Sequence, residues 1–160
     1  MTFLIGTASE LKNGDTAPGF ILQTDEGSDF DLESRRGKWT VLYFYPRAHT
    51  PGCTRQACAF RDNISQIRNL GAEIFGVSTD RVPTLVKFKK QHNINFVLLA
   101  DPDLKAVKAY GTKMPLLKIS RRWTFIIDPN FRIASTDKNI DPVLDAERVA
   151  KTLEELQVGG

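Results

Sequence analysis

The feature that most constrains the fold is an uninterrupted run of aromatic and β-branched residues at positions 39–45, WTVLYFY. A strand that is apolar on both faces is typical of the interior of a sheet with helices on both sides. Pro46 ends the run, and from Cys53 onward apolar residues recur at every third or fourth position, which is the period of an amphipathic helix. The pattern therefore predicts a buried central strand that leads through a short loop into a helix over residues 53–70, with Gly71 ending that helix.

The remaining patterns alternate between strand and helix. In chain order they predict a hairpin from residues 20–22 and 30–32, strand 72–78, helix 82–92 with Leu85, Val86 and Phe88 inside, strand 96–100, helix 104–110, a hairpin from 123–127 and 132–135, and helix 145–156. Residues 1–17 are predicted to form an extended arm, and Asp145 to cap the last helix.

This order indicates an α/β protein of the thioredoxin-like fold. We expect a central mixed, mainly parallel sheet flanked by helices, with an N-terminal β-hairpin extension. The length favours one domain over residues 1–160, because a chain of this size buries most of its apolar surface in a single core.

Charge and cysteine content exclude several classes of function. The net charge is only +3 and no run of five or six like charges occurs, so we expect neither nucleic-acid nor membrane-surface binding. No stretch approaches the roughly 18 apolar residues of a membrane span. Two cysteines make no disulfide framework, and such a pair fits a protein of a reducing compartment, here the cytoplasm.

Cys53 is the candidate nucleophile. It follows the central strand at the start of a helix, and ligand sites in open α/β sheets gather at the carboxyl ends of strands. Unpaired N–H groups and the helix dipole favour a thiolate there, as do nearby cations. The cations Arg47, Arg55 and Arg61 outnumber the nearby acid Asp62. Packing in the core as an inert thiol is the alternative role for a cysteine.

Cys58 follows five residues after Cys53. On an ideal helix, the Cα atoms of such a pair lie roughly 8 to 9 Å apart, whereas a disulfide needs them within about 7 Å. Either the two cysteines never pair, or the first helical turns unwind to let them meet.

Other chemistry remains open for these cysteines. A metal site would combine Cys53 and Cys58 with His49 or His92, although C-x₂-C is the usual spacing of a zinc knuckle. A Cys–His hydrolase would pair Cys53 with His49. A binding module of thioredoxin-like fold without enzyme activity, such as a metal carrier, is the third alternative.

Pro46, Thr50 and Cys53 form the pattern P-x₃-T-x₂-C, which resembles the active-site signature of peroxiredoxins. The longer string YFYPRAHTPGCTRQACAFRDN resembles the bacterioferritin comigratory protein (peroxiredoxin Q) branch, in which a resolving cysteine follows the peroxidatic one after five residues. The likeness extends to GDTAPGFILQTDEG, EIFGVSTD and the RWTFIID strand that begins at Arg122. It covers residues 11–156.

The resemblance implies a thiol peroxidase that acts without a cofactor or metal. Cys53 would be the peroxidatic thiolate and Cys58 the resolving thiol, while Pro46 would shield the site, Thr50 position the peroxide and Arg122 hold the thiolate. Hydrogen peroxide or an organic hydroperoxide would be reduced through a sulfenic acid and an intra-chain disulfide. The family further implies recycling by thioredoxin or a similar dithiol, a role in antioxidant defence, and a monomer or weak homodimer.

One segment departs from the family pattern. Between Gly111 and Arg122 the family commonly has a longer, glycine-containing loop near the substrate entrance, whereas here residues 112–121 read TKMPLLKISR. The shorter, apolar loop predicts a preference for bulkier organic hydroperoxides.

Overall fold

A computed structural model of the protein describes residues 10–159. The strands are β1 (Ile21–Thr24), β2 (Asp29–Asp31), β3 (Trp39–Phe44), β4 (Ala72–Ser78), β5 (Val97–Ala100), β6 (Trp123–Ile127) and β7 (Ile133–Asp137). The helices are α1 (Pro51–Asp62), α2 (Ile64–Asn69), α3 (Val82–His92), α4 (Lys105–Ala109) and α5 (Asp145–Val158), with a 3₁₀ turn at Leu32–Arg35.

Within residues 10–159, seven strands form one sheet in the order β2-β1-β5-β4-β3-β6-β7. The predicted mixed sheet and the hairpin extension at one edge are confirmed. Parallel pairing is confined to the central strands β3, β4 and β5, and the other neighbours are antiparallel. The sheet is thus less parallel than the sequence predicts, because the hairpins at both ends of the chain extend the parallel core on both sides.

Strand β3 lies inside the sheet and feeds both cores, as its apolar run predicts. Val41 and Tyr43 belong to the core under α1, α2, α3 and α5, whereas Leu42 and Phe44 belong to the core on the opposite face, under α4. All four side chains are buried. This alternation anchors the carboxyl end of β3, from which the loop to α1 departs.

The predicted helix over 53–70 is wrong in two respects. It begins at Pro51, since proline suits the first helical position, where an N–H would have no partner. It also breaks at Asn63, whose φ of −106° and ψ of 10° depart from helix. The Asn63 side chain donates to the carbonyl of Ala59 at 2.7 Å, and such local side-chain bonds compete with helix continuation. Helix α1 is therefore a separate unit of 12 residues.

Three smaller predictions also need correction or limits. Leu144, and not Asp145, is the N-cap of α5, and Asp145 is the first helical residue with a buried side chain. Val86 is 44% exposed, while Leu85 and Phe88 are buried as predicted. Residues 1–9 of the predicted arm lie outside the described residues. Among residues 10–159, no helix combines the length and apolar character needed to cross a membrane.

Candidate active site

The start of α1 offers unused backbone donors next to Cys53. Thr50 is the extended N-cap residue and its side chain does not cap the helix. Pro51 has no N–H, and the first intrahelical bond shown runs from the Thr54 N–H to the Thr50 carbonyl at 2.9 Å. The N–H groups of Gly52 and Cys53 precede it and have no carbonyl one turn earlier to bond. This turn can therefore donate to an oxygen placed at the thiol.

The thiol of Cys53 lies beneath a guanidinium. Cys53 is 1% exposed, and Arg122 Nη2 donates to its Sγ at 3.3 Å. Arg122 directly precedes β6, which pairs antiparallel with β3 in the register Trp123 to Phe44. The pairing of β6 with β3 thus brings Arg122 beside the loop that leaves β3, and the two predicted site residues meet across 69 positions of sequence.

A chain of polar side chains continues from the guanidinium into the core. Arg122 Nη1 donates to Gln56 Oε1 at 2.6 Å, and Gln56 Nε2 donates to Asp145 Oδ2 at 2.9 Å. Thr124 Oγ1 donates to the same carboxyl oxygen at 2.8 Å. Burial raises the pKa of Asp145 to about 6, although the bonds from Thr124 and Gln56 oppose that rise. The sequence does not predict a site role for Gln56, and for Asp145 it predicts only a helix cap.

Gly52 permits the close approach of Arg122, a role that the sequence does not predict. A Cβ at this position would lie 3.1 Å from Arg122 Nη2, which is tighter than ordinary carbon contacts. The glycine's φ is not in the left-handed region, so space rather than backbone freedom explains the residue. The sequence Pro51-Gly52-Cys53 does not by itself reveal this role, because the role depends on the position of Arg122, which is distant in sequence.

Thr50 and Pro46 border the same site. The Thr50 hydroxyl donates to the Arg47 carbonyl at 2.8 Å, which leaves its oxygen free to accept a hydrogen bond. An open cavity of about 370 Å³ lies beside Arg122. Its lining consists of Pro46, Met114, Arg121, Arg122, Trp123, Lys138, Asn139 and Ile140. Arg122 therefore contacts the sulfur and also lines the cavity.

Cys58 is separate from this cluster. Both cysteines are free, and Cys58 is partly buried within the intact helix α1. The predicted resolving thiol is thus not brought to Cys53 in this conformation. The two cysteines lie five residues apart on the same continuous helix, where ideal geometry keeps their Cα atoms roughly 8 to 9 Å apart.

The two histidines lie elsewhere. His49 packs edge-on against Phe88 with ring centroids 5.2 Å apart, and His92 packs against the same ring at 5.3 Å. Among residues 10–159, no group of three or more His, Cys, Asp or Glu side chains could hold a metal ion.

The loop before α1 is fixed to β4 by a carboxylate. Asp80 Oδ2 accepts from the Ala48 N–H at 2.8 Å and from the Ser78 hydroxyl at 2.7 Å. His49 follows in the left-handed region with a φ of 66°. These contacts set the entry of the chain into α1.

The site combines a buried sulfur, a guanidinium bonded to it, N–H groups at the start of α1 and a cavity beside Arg122. Such a site can attack a small electrophile and stabilise the charge that develops. The fold and the site together define a thiol-based oxidoreductase.

Comparison with known proteins gives the family. The model of the AhpC/TSA family matches residues 13–136. Peroxiredoxin Bcp of Escherichia coli K12 is 41% identical over 101 residues, covering 63% of this chain and 65% of that protein. The chloroplastic peroxiredoxin Q of Oryza sativa subsp. japonica is 38% identical over 122 residues, covering 76% of this chain and 56% of that protein.

Solved structures agree with these sequence relatives. The crystal structure of peroxidoxin BcpB from Mycobacterium tuberculosis superimposes with a TM-score of 0.85 at 31% identity, covering 91% of this chain and 98% of that one. A PrxQ mutant from Xylella fastidiosa gives a TM-score of 0.88 at 27% identity, with 94% and 99% coverage. The chain belongs to the AhpC/TSA family, in its Bcp/peroxiredoxin Q branch. The predicted thioredoxin-like fold and the predicted class, an antioxidant thiol peroxidase, are confirmed.

Proposed function

We propose that the protein reduces peroxides with Cys53 as the peroxidatic thiolate and Cys58 as the resolving thiol. The observation that carries this proposal is the 3.3 Å hydrogen bond from Arg122 Nη2 to Cys53 Sγ. A guanidinium in that place stabilises a negative sulfur and lies ready for a negative oxygen. The P-x₃-T-x₂-C signature and the family membership support the same roles.

In the first step the Cys53 thiolate attacks the terminal oxygen of the hydroperoxide. The S–O bond forms as the O–O bond breaks, which leaves a sulfenic acid on Cys53, and the leaving oxygen takes a proton from solvent to become water or an alcohol. Arg122 and the N–H groups of Gly52 and Cys53 donate to the charge that moves onto the oxygens. Thr50 Oγ accepts from the peroxide O–H because its own proton is donated to the Arg47 carbonyl. Pro46 lines the cavity, and its ring is proposed to limit access of water to the reacting sulfur.

In the second step Cys58 attacks the sulfenic acid on Cys53. The S–S bond forms, the S–O bond breaks and water leaves. Both cysteines lie in α1, so at least the turns between them must unwind first. An external dithiol, thioredoxin or a similar protein, then reduces the disulfide by exchange and is itself oxidised. Such recycling fits a cytoplasmic, reducing environment.

The test is peroxide consumption in the presence of thioredoxin or dithiothreitol. Cys53→Ser should abolish consumption, because Cys53 supplies the sulfur that Arg122 contacts. Cys58→Ser still forms a sulfenic acid at Cys53, detectable with dimedone, but no intra-chain disulfide. Full activity of Cys53→Ser would falsify the assignment. Bound metal at one equivalent with no peroxide turnover would favour a binding module instead.

The cavity favours organic hydroperoxides as the preferred substrates. Met114, Trp123 and Ile140 give the cavity an apolar side next to Arg122, while Arg121, Lys138 and Asn139 make the rest of its lining polar. An alkyl or aryl group can lie on this apolar side while its hydroperoxide reaches the guanidinium. We expect kcat/KM for cumene hydroperoxide to exceed that for hydrogen peroxide. Equal or faster turnover of hydrogen peroxide would contradict this preference.

A further inference from the structure

Gln56 lies in the segment that must unwind between the two cysteines. It is three residues after Cys53 and two before Cys58, and its side chain is fully buried. Both ends of its amide are bonded outside α1, one to Arg122 on the β6 side and the other to Asp145 at the start of α5. Unwinding this segment therefore breaks two long-range hydrogen bonds that the helical form makes.

Asp145 decides which way the Gln56 amide points. Its Oδ2 accepts from both Gln56 Nε2 and Thr124 Oγ1. Because an amide nitrogen can only donate, this acceptor keeps the nitrogen toward Asp145 and turns the amide oxygen toward Arg122. The opposite orientation would place the amide N–H groups against the guanidinium, where donor faces donor. With the Gln56 amide oxygen toward Arg122, Nη1 of the guanidinium donates to that oxygen while Nη2 donates to the Cys53 sulfur.

Asp145 does not contact the reacting sulfur, and its partners on α1 and β6 are 89 and 21 residues away in sequence. A carboxyl group that only capped α5 would bond to backbone N–H groups of α5, and not to Gln56 and Thr124. Its other oxygen, Oδ1, has no hydrogen-bond partner among the described residues. The hydrogen bonds that Asp145 accepts therefore run through Oδ2 alone, to Gln56 and Thr124.

We propose that Asp145 is a positioning residue that, through Gln56, holds Arg122 on Cys53 and latches helix α1 in its helical form. This inference rests on the proposed roles of Cys53 and Cys58. It predicts opposite effects on the two steps when the latch is removed. The peroxide step slows because the guanidinium loses its support, and the disulfide step accelerates because unwinding breaks fewer hydrogen bonds.

The experiment separates the two steps in stopped flow, with tryptophan fluorescence for oxidation and quenched alkylation with mass spectrometry for the disulfide. For Asp145→Ala we expect the peroxide rate to fall and the disulfide rate to rise, each roughly five- to tenfold, as the loss of a buried hydrogen bond implies. Asp145→Asn keeps a carbonyl oxygen toward Gln56 and Thr124, so both rates return to within about twofold of the wild type.

Asp101→Ala is the matched control. Asp101 is another fully buried carboxyl group, but its bonds go to the N–H groups of Lys105 and Val107 at α4, on the opposite face of the sheet. It should lower stability and leave both rates unchanged. If Asp145→Ala behaves like Asp101→Ala, or if both of its rates fall together, the positioning role is refuted.

A second variant covers failure of Asp145→Ala to fold. Gln56→Leu has similar volume and removes the middle of the chain, and it should show the same opposed changes. Cys53→Ser and Cys58→Ser, measured in parallel, test the proposed function itself. If Cys53→Ser consumes peroxide, the proposed function fails whatever Asp145 does. If the cysteine variants behave as proposed but the Asp145 and Gln56 variants do not, only the latch is refuted.

Discussion

Asp101 and Asp145 are both buried carboxyl groups near the start of a helix, and burial raises the pKa of each. Their surroundings nevertheless differ in kind. Asp101 accepts from the backbone N–H groups of Lys105 and Val107 at 2.7 and 2.8 Å, and both donors lie within six residues of it in sequence. Asp145 accepts only from side chains of distant elements and has one oxygen without a partner among the described residues. The first arrangement stabilises a helix, and the second transmits orientation to a reacting group.

Arg122 connects Asp145, through Gln56, to the sulfur of Cys53. Replacing Arg122 should therefore have the largest effect on peroxide turnover. Arg122→Met loses the donor to Cys53 Sγ, and kcat/KM for peroxide should fall about 100-fold or more, as for loss of a donor to a transition-state oxygen. Steady-state kinetics with saturating reductant measures it. A reduction under tenfold would mean that the guanidinium is not the main stabiliser. Arg132→Met, which alters an arginine that donates to the Gly14 carbonyl and does not line the cavity, is the control.

The second test uses pH to tell Asp145 from an ordinary capping residue. Burial raises its pKa to about 6, against an ordinary value of 3.8. The folded protein therefore binds the proton more tightly than the unfolded chain, so stability falls as pH rises between about 4 and 6. Charged groups that face Asp145 are Asp137, which favours the proton, and Arg148, which opposes it; Gln56 and Thr124 are the uncharged partners.

Asp145→Asn removes this titration. Relative to the wild type, its free energy of unfolding should increase by about 2 kcal/mol between pH 4.5 and 7.5. Urea unfolding of both proteins at the two pH values measures the difference. A constant difference across this range would show that Asp145 ionises at its ordinary pH, and that the folded protein does not penalise its charge.

The third test concerns Asp101. Asp101→Ala leaves the N–H groups of Lys105 and Val107 without their acceptor, so the free energy of unfolding should fall by about 2 kcal/mol. Peroxide turnover at 25 °C should be unchanged, because α4 packs on the opposite sheet face from Cys53. Urea unfolding and an activity assay on the same preparation check both parts. A loss of activity in folded protein would remove the contrast between the two carboxyl groups.

The same contrast explains what could be predicted from the sequence. The run at residues 39–45 predicts its strand because burial on both sheet faces leaves a local pattern. Cys53, Thr50 and Arg122 carry a family signature, and the structure places Arg122 on Cys53. Their catalytic roles stay predictions. Asn63 breaks a helix within an unbroken apolar period, because one side-chain bond to a carbonyl overrides that pattern.

The contacts of Asp145 leave no such pattern. An aspartate before a helical period favours a capping role, and only the packing of α5 against α1 and β6 redirects its side chain to Gln56 and Thr124. Gln56 lies on a helix, where polar residues are common. Only its contact with Arg122 in the folded protein distinguishes it.

Gly52 gives the smallest and most discriminating test. An added Cβ would lie 3.1 Å from Arg122 Nη2, so Gly52→Ala should displace the guanidinium by a few tenths of an ångström. We expect kcat/KM to fall about fivefold, since small misplacements of catalytic groups are costly, while helix propensity offsets part of the strain in stability. Gly19→Ala, whose Cβ would lie 3.3 Å from a Glu33 oxygen away from the site, is the control. If Gly52→Ala keeps full activity, the guanidinium tolerates displacement, and the fine positioning that we assign to Asp145 would have little effect on the peroxide step.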